Sequence, residues 1–293
     1  MISVVLPCYN EESAILECVN SIKKDISKSE FEYEIIIVDD GSTDASLSKI
    51  IESGATYVTH PHNLGYGSAL KTGIKKSKFD TILILDIDGS YPTKHIPDLL
   101  KIYLESKNSS TGLDMLVGAR KGKVYDGSSI KFFFRKFLKF LVEWTTGRKI
   151  IDINSGMRIF SKKTINTFLP QLCNTFSFTT SLTLAFMLTG KFVKYHSIEY
   201  NVRTGKSHVR IFRDSLRTLQ YIIEAIIYYN PLKLFLLLFL VFAFISIFFL
   251  TFYLIYGTIV YLTLFCLIAF FSLVSILFGF LMELIRQKIN LNK

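Results

Sequence analysis

Thr81-Ile82-Leu83-Ile84-Leu85-Asp86-Ile87-Asp88-Gly89 is the stretch that decides the fold. Five successive apolar or β-branched residues read as a strand buried on both faces, the habit of central parallel strands. The carboxylates of Asp86 and Asp88 then fall at its C-terminal end, where open α/β sheets bind their ligands. A second stretch repeats the arrangement, with Ile35-Ile36-Ile37-Val38 running into Asp39-Asp40-Gly41-Ser42. Two acidic clusters on neighbouring strands can hold a divalent cation and a sugar-nucleotide. They point to nucleotide-dependent transfer chemistry.

Strand and helix patterns alternate around these two stretches. Strands are predicted at 2–6, 33–38, 56–59 and 81–85, with helices at 11–24, 45–53 and 67–76 between them. Further strands are predicted at 114–117 and 192–200. Such alternation implies βαβ units and a mostly parallel sheet.

The 293 residues can hold one good-sized domain and something smaller. Half of the residues are hydrophobic, and the excess is concentrated at 234–256 and 259–282. Each run is long enough for a hydrocarbon core that needs roughly 20 residues. Neither has a polar face, which argues against a buried helix pair in a soluble protein. Residues 1–6 lack the basic flank and length of a secretory leader and run straight into Pro7-Cys8-Tyr9-Asn10, so a cytoplasmic catalytic part is expected. Arg210, Arg213, Arg217 and Lys233 precede the first apolar run, and Arg286, Lys288 and Lys293 follow the second. The connector Tyr256-Gly257-Thr258 is uncharged, so the positive-inside rule places both ends in the cytoplasm.

A formal charge of +10 suits a protein that lies on anionic lipid or grips phosphates. Nucleic acid is the rival partner for such a balance, but no nucleic-acid-binding motif is present. Cys8, Cys18, Cys173 and Cys266 form no CxxC pair, which argues against zinc and against a disulfide framework. Residues 130–145 alternate basic Lys131, Arg135 and Lys139 with Phe134, Phe137, Leu138, Leu141 and Trp144. This is the pattern of an interfacial membrane helix, or of an ordinary helix packed on the sheet. A second amphipathic segment at 211–230 leads into the first apolar run.

Several side chains are candidates for chemistry. Tyr9 can cover a nucleobase and Glu11 can accept from a ribose hydroxyl; Asp39 is the better placed of its pair to contact base or ribose. Asp86 and Asp88 form a DxD whose oxygen ligands suit Mg²⁺ or Mn²⁺ shared with substrate phosphates. Arg120, Arg158, Arg203 and Lys206 can supply cations for phosphate. The run His62-Asn63-Leu64-Gly65-Tyr66-Gly67 opens a helix but is neither a dinucleotide fingerprint nor a Walker loop. It serves a ligand or close backbone packing.

Together these segments resemble family-2 glycosyltransferases of the dolichol-phosphate mannose synthase type, which include bacterial polyprenyl-phosphate glycosyltransferases. The resemblance is carried by Pro7-Cys8-Tyr9-Asn10-Glu11, Val38-Asp39-Asp40-Gly41-Ser42-Thr43-Asp44, Asn63-Leu64-Gly65, Asp86-Ile87-Asp88-Gly89-Ser90-Tyr91-Pro92 and Gly118-Ala119-Arg120. Asn154-Ser155-Gly156-Met157-Arg158 and Arg203-Thr204-Gly205-Lys206-Ser207 complete it. It implies a GT-A catalytic domain over 1–210, a juxtamembrane helix over 211–230 and a transmembrane hairpin over 231–293.

The resemblance further implies an inverting, metal-dependent transfer of one hexose from a UDP-glucose or GDP-mannose type donor to polyprenyl phosphate. Pro7, Tyr9, Glu11, Asp39, Asp40, Asp86, Ile87 and Asp88 would hold the donor. Asp86, Asp88, Arg120 and Arg203 would serve catalysis, while Arg120, Ser155, Arg158, Arg203 and Lys206 would meet the acceptor phosphate. Mg²⁺ or Mn²⁺ would sit on Asp86 and Asp88. Ser90 stands where mannose synthases often place a glutamine ligand, and His208 stands where they place a lysine that Lys206 or Arg210 would replace. A homo-oligomer is compatible with this reading. The alternatives are a hydroxyl acceptor on a lipid or polysaccharide and a catalytically dead membrane scaffold. Processive polymer synthases carry Gln-Xaa-Xaa-Arg-Trp, whereas the sole tryptophan here, Trp144, follows Val142-Glu143.

Overall fold

A computed structural model describes residues 1–29, 31–107, 109, 112–121, 129–201 and 211–291. They fall into two compact units, Met1–Tyr221 and Ile222–Lys293. The first is built on a seven-stranded sheet: β1 (Ile2–Cys8), β2 (Tyr33–Asp39), β3 (Thr56–Thr59), β4 (Thr81–Ile84), β5 (Met115–Lys121), β6 (Arg158–Ser161) and β7 (Val193–Glu199). Its order is β3-β2-β1-β4-β6-β5-β7. All neighbours are parallel except β6, which runs antiparallel between β4 and β5. The mostly parallel α/β sheet is the one expected; the reversed strand β6 is not.

The central strands are apolar because helices cover both faces. β1 is buried along its whole length, and Ile36, Ile37 and Val38 of β2 with Ile82, Leu83 and Ile84 of β4 are sealed from solvent. Each such side chain contributes about 1.5–3 kcal/mol on burial. The helices α1 (Ile15–Ile26), α2 (Ser46–Glu52), α3 (Tyr66–Lys76) and α4 (Ile96–Lys107) follow successive strands. α1 buries Ile15, Val19, Ile22 and Ile26, the repeat expected of a one-faced helix.

Two helical pieces, one short and one fully buried, had no clear signature. α6 (Lys162–Asn166) begins on Ser161, whose hydroxyl accepts from the Thr164 N–H. α7 (Phe178–Leu188) is enclosed almost all round, so its sequence shows no polar stripe. α4 was not predicted although it is one-faced, with Ile96, Leu99, Leu100 and Tyr103 buried and Asp98, Lys101 and Glu105 exposed.

α5 (Ser129–Thr146) matches the amphipathic segment 130–145. In its last turns Leu141, Val142 and Thr145 are buried, Trp144 is half-buried and Phe140 is exposed. The side chains of Lys131, Phe134, Arg135, Phe137 and Leu138 lie outside the described set. α8 (Ile211–Tyr229) crosses the division between the two units.

The second unit contains α9 (Pro231–Tyr256) and α10 (Ile259–Leu291), packed against each other. Both are long and apolar enough to cross a membrane, and their surfaces are mostly bare of protein contacts. Gly257 closes α9 in the left-handed conformation, φ +66°, donating its N–H to Tyr253. Between the helices, the Ser272 hydroxyl donates to the Phe239 carbonyl at 3.0 Å.

Candidate active site

Strand register assembles the site. Cys8 lies opposite Asp39, so β1 and β2 end together. β4 ends beside Val5, where the Leu85 N–H donates to the Val5 carbonyl. The turns after these three strands therefore emerge side by side at one edge of the sheet. Because β6 is reversed, its starting end joins them, bringing Ser155, Gly156 and Arg158 to the same edge.

The first two turns interlock. Asn10 adopts φ +55° and its side-chain oxygen accepts the Thr43 N–H at 2.8 Å. The Glu11 N–H donates to the Ser46 hydroxyl, and Asp39 Oδ1 accepts from the Ser42 N–H. Tyr9 is half-buried at this edge, and Glu11 and Asp39 are buried. Pro7 is buried within β1. Burial and the neighbouring Asp39 push the Cys8 thiol up to about 12, so it stays protonated.

Asp40 is buried and engaged by the loop that follows β3. Its carboxylate accepts from the Leu64 N–H at 2.9 Å, the Gly65 N–H at 2.8 Å and lies 2.7 Å from His60 Nδ1. His60 Nε2 is in turn 2.9 Å from the Thr72 hydroxyl. Asp40 clamps the 60–65 loop, and this occupancy does not fit the expected donor contact. The glycines of that loop serve close packing. A Cβ on Gly65 would stand 2.5 Å from the Asn174 carbonyl oxygen, and one on Gly67 would stand 2.8 Å from the Asn174 carbonyl carbon.

Asp86 and Asp88 occupy the bend after β4, not the strand itself. Asp86 Oδ1 accepts from the Tyr66 hydroxyl at 2.7 Å. Asp88 Oδ1 accepts from both the N–H and the hydroxyl of Ser90, at 3.0 and 2.5 Å. Ser90 is fully buried and its hydroxyl hydrogen is given to Asp88, so it braces that carboxylate. Ile87 packs into the core, which leaves only its backbone for any donor contact. Among the described residues no third Asp, Glu, His or Cys joins Asp86 and Asp88 as a metal cluster.

Arg120, near the end of β5, makes a two-pronged pair with Asp152, Nε and Nη2 at 2.7 and 2.8 Å. Its guanidinium also lies 5.2 Å from the Tyr200 ring centroid. Burial opposes ionisation of Asp152, but the hydrogen bonds and charge of Arg120 outweigh it and hold the carboxyl below its usual range.

Arg158 behaves differently. It is completely buried and donates to the carbonyls of Ser155 and Ile153 and to the Thr183 hydroxyl, each at 2.7–2.8 Å. Burial lowers its pKa, against the pull of Tyr195 and Asp152. The Ser155 hydroxyl is likewise sealed, donating to the Gly118 carbonyl at 2.6 Å. Neither is presented to an acceptor phosphate; both brace the loop that carries Gly156. Arg203, Lys206, His208 and Arg210 lie outside the described residues.

A family model described as glycosyl transferase family 2 matches residues 3–168. The chain belongs to that family. Both acidic turns lie inside the matched region. Among curated relatives, it is 29% identical over 192 residues to an undecaprenyl-phosphate 4-deoxy-4-formamido-L-arabinose transferase of Pseudomonas fluorescens strain Pf0-1, covering 60% of this chain and 54% of that one. It is 27% identical over 230 residues to the low-salt glycan biosynthesis hexosyltransferase Agl6 of Haloferax volcanii, covering 76% and 53%. The family-2 chain thus spans little more than half the length of these relatives.

Its fold matches that of glucosyl-3-phosphoglycerate synthase from Mycobacterium tuberculosis in complex with Mn²⁺, uridine-diphosphate and phosphoglyceric acid. The TM-score is 0.62 at 18% identity, over 77% of this chain and 78% of that one. The first unit is a GT-A-like domain.

Tyr66 and Phe176 were not singled out from the sequence. Their rings stack at 5.8 Å, with an interplanar angle of 16°. Tyr66 was hidden among the glycines, and its contact with Asp86 spans twenty residues.

Proposed function

We propose that the chain transfers a single hexose from a nucleotide-sugar to polyprenyl phosphate, with inversion, at the cytoplasmic face of a membrane. The observation that carries this reading is the pairing, in one family-2 chain, of the Asp86–Asp88 turn with a helical hairpin apolar on nearly every side. Such a hairpin suits an enzyme whose acceptor is itself a lipid. Relatives named for transfer to undecaprenyl phosphate support the same acceptor.

In this reading Tyr9, Glu11 and Asp39 hold the nucleoside, and the turn at Asp86–Asp88 faces the diphosphate. Two carboxylates in one tight bend form an all-oxygen donor set that fits Mg²⁺ or Mn²⁺, which share their remaining positions with phosphate oxygens and water. A bound cation would offset the charge gathering on the departing diphosphate. Asp88 is kept in place by Ser90 and Asp86 by Tyr66.

The nucleophile is an oxygen of the acceptor phosphate. With a second pKa near 6 it is already largely dianionic at neutral pH, so no protein base has to take a proton. Its bond to the anomeric carbon forms as the bond to the nucleotide breaks, and the electron pair leaves on the diphosphate. Arg120, oriented by Asp152, offers positive charge beside this path. Arg203 and Lys206 are proposed as further cations for the acceptor. The basic residues flanking the hairpin favour both chain ends in the cytoplasm, with 130–145 and 211–230 at the interface.

The test is purified chain in detergent with Mg²⁺ or Mn²⁺, polyprenyl phosphate and a panel of UDP- and GDP-sugars, read by mass spectrometry. A metal-dependent sugar-phosphate-prenyl product from one donor is expected. Donor binding without that product would move the acceptor to a hydroxyl, and no donor binding would defeat the reading.

A further inference from the structure

We propose that Tyr66 is a positioning residue of the transfer reaction: its hydroxyl, set by the stack on Phe176, fixes the Asp86 carboxylate in the orientation that cation and diphosphate require. This rests on the functional reading above.

The Asp86 carboxylate sits in a slot. On one side the Tyr66 hydroxyl donates to Oδ1 at 2.7 Å. On the other side lies Gly156, where an added Cβ would stand 2.6 Å from Asp86 Cγ and 2.7 Å from Oδ1. Gly156 is itself tied down, its N–H donating to the Tyr91 hydroxyl at 2.7 Å. The Tyr91 ring meets Tyr200 edge-on at 5.2 Å, and Tyr200 lies against Arg120. One wall of the slot thus connects the carboxylate to the cationic side of the crevice.

The other wall is anchored as firmly. Tyr66 opens α3, directly after the Leu64 and Gly65 N–H groups that Asp40 grips. The Ser68 N–H donates to the Asn174 carbonyl at 3.0 Å, and Lys71 Nζ reaches Asn174 Oδ1 at 2.7 Å. These contacts bind α3 to the 172–176 loop, which carries Phe176 onto the Tyr66 ring. The position of the phenol is therefore determined from two directions, by β2 through Asp40 and by the 172–176 loop.

Its chemistry suits the task. A phenol carries one O–H donor, and Asp86 Oδ1 accepts it at 2.7 Å. Partners that orient a metal-binding carboxylate typically change metal affinity or activity by about 10–100-fold when removed. Tyr66→Phe deletes that donor and keeps the ring on Phe176, so the fold has little reason to change.

The measurement is Mn²⁺ binding to the full chain in detergent, followed by the electron paramagnetic resonance of free Mn²⁺, with UDP and separately with GDP. Transfer is assayed alongside over a Mn²⁺ titration, and thermal melting without Mn²⁺ checks the fold. For Tyr66→Phe, Mn²⁺ binding in the presence of nucleotide is expected to weaken about 10-fold. Excess Mn²⁺ should recover most of the lost kcat, with melting unchanged. Parental Mn²⁺ binding by Tyr66→Phe would overturn the role of Tyr66 and leave the functional reading standing. A loss of turnover that excess Mn²⁺ does not recover would likewise overturn it. Absence of nucleotide-dependent Mn²⁺ binding in the parent would overturn the functional reading itself, and this role with it.

Discussion

Gly156→Ala is the sharpest perturbation this site allows. Gly156 is not among the residues with positive φ, so its backbone accommodates alanine without strain. The three atoms nearest the new methyl would all belong to Asp86: Cγ at 2.6 Å, Oδ1 at 2.7 Å and Oδ2 closer still. Ordinary contact begins near 3.4 Å, so the carboxylate must retreat by about 1 Å, and a displacement of that size at a reacting centre costs about 10²-fold in rate. Retreat also stretches the Tyr66 hydrogen bond, a charge-assisted contact worth about 1.5–3 kcal/mol. Part of that is recovered because Asp86 is only half-buried and gains water. The folded state should therefore lose little while turnover falls by about two orders of magnitude. Sugar transfer to polyprenyl phosphate, measured beside the melting temperature, separates the two effects. Near-parental turnover in a folded Gly156→Ala chain would refute the placement of Asp86 at the reaction centre.

Arg158→Met should act on the fold. It strips two carbonyls and the Thr183 hydroxyl of their donor inside the core, about 1–3 kcal/mol each. Chemical denaturation should show a loss of about 3–5 kcal/mol, with nucleotide affinity per folded molecule unchanged. Specific loss of acceptor use in a stable variant would restore Arg158 to the phosphate site. Asp152 governs an acid limb: its folded pKa lies below the ordinary 3.8, so its pairing with Arg120 stabilises fully above about pH 4 and fades as pH falls through the lower value. Melting curves from pH 7 to 3 should steepen on the acid side for the parent and flatten for Asp152→Asn. A chain ending at Tyr229 should be released from membranes by alkaline wash, whereas the full chain stays in the pellet; equal retention would show that the hairpin is not the anchor.

Patterns contained in one continuous stretch of chain were legible in the sequence. The apolar run before Asp86, the matching run before Asp39 and the paired apolar helices each show in local order, because strand burial and span length are local properties. Asp39 and Asp40 could not be told apart this way. Adjacent residues at a strand end point to opposite sides, and which side holds Leu64, Gly65 and His60 depends on a loop 20 to 25 residues away. β6 was missed for a related reason: four buried residues between an irregular stretch and the start of α6 carry too little periodicity to mark a strand.

The sequence by itself determined the α/β alternation, the family and the apolar hairpin. All three follow from which residue types recur at which spacing. Only the tertiary structure decided that Arg158 and Ser155 are internal braces, that Asp40 holds a loop, and that Tyr66 meets Asp86. An arginine or a tyrosine can serve equally as ligand contact or internal strut. The choice is made by what surrounds its polar atoms once distant segments pack, and buried donors must find acceptors there.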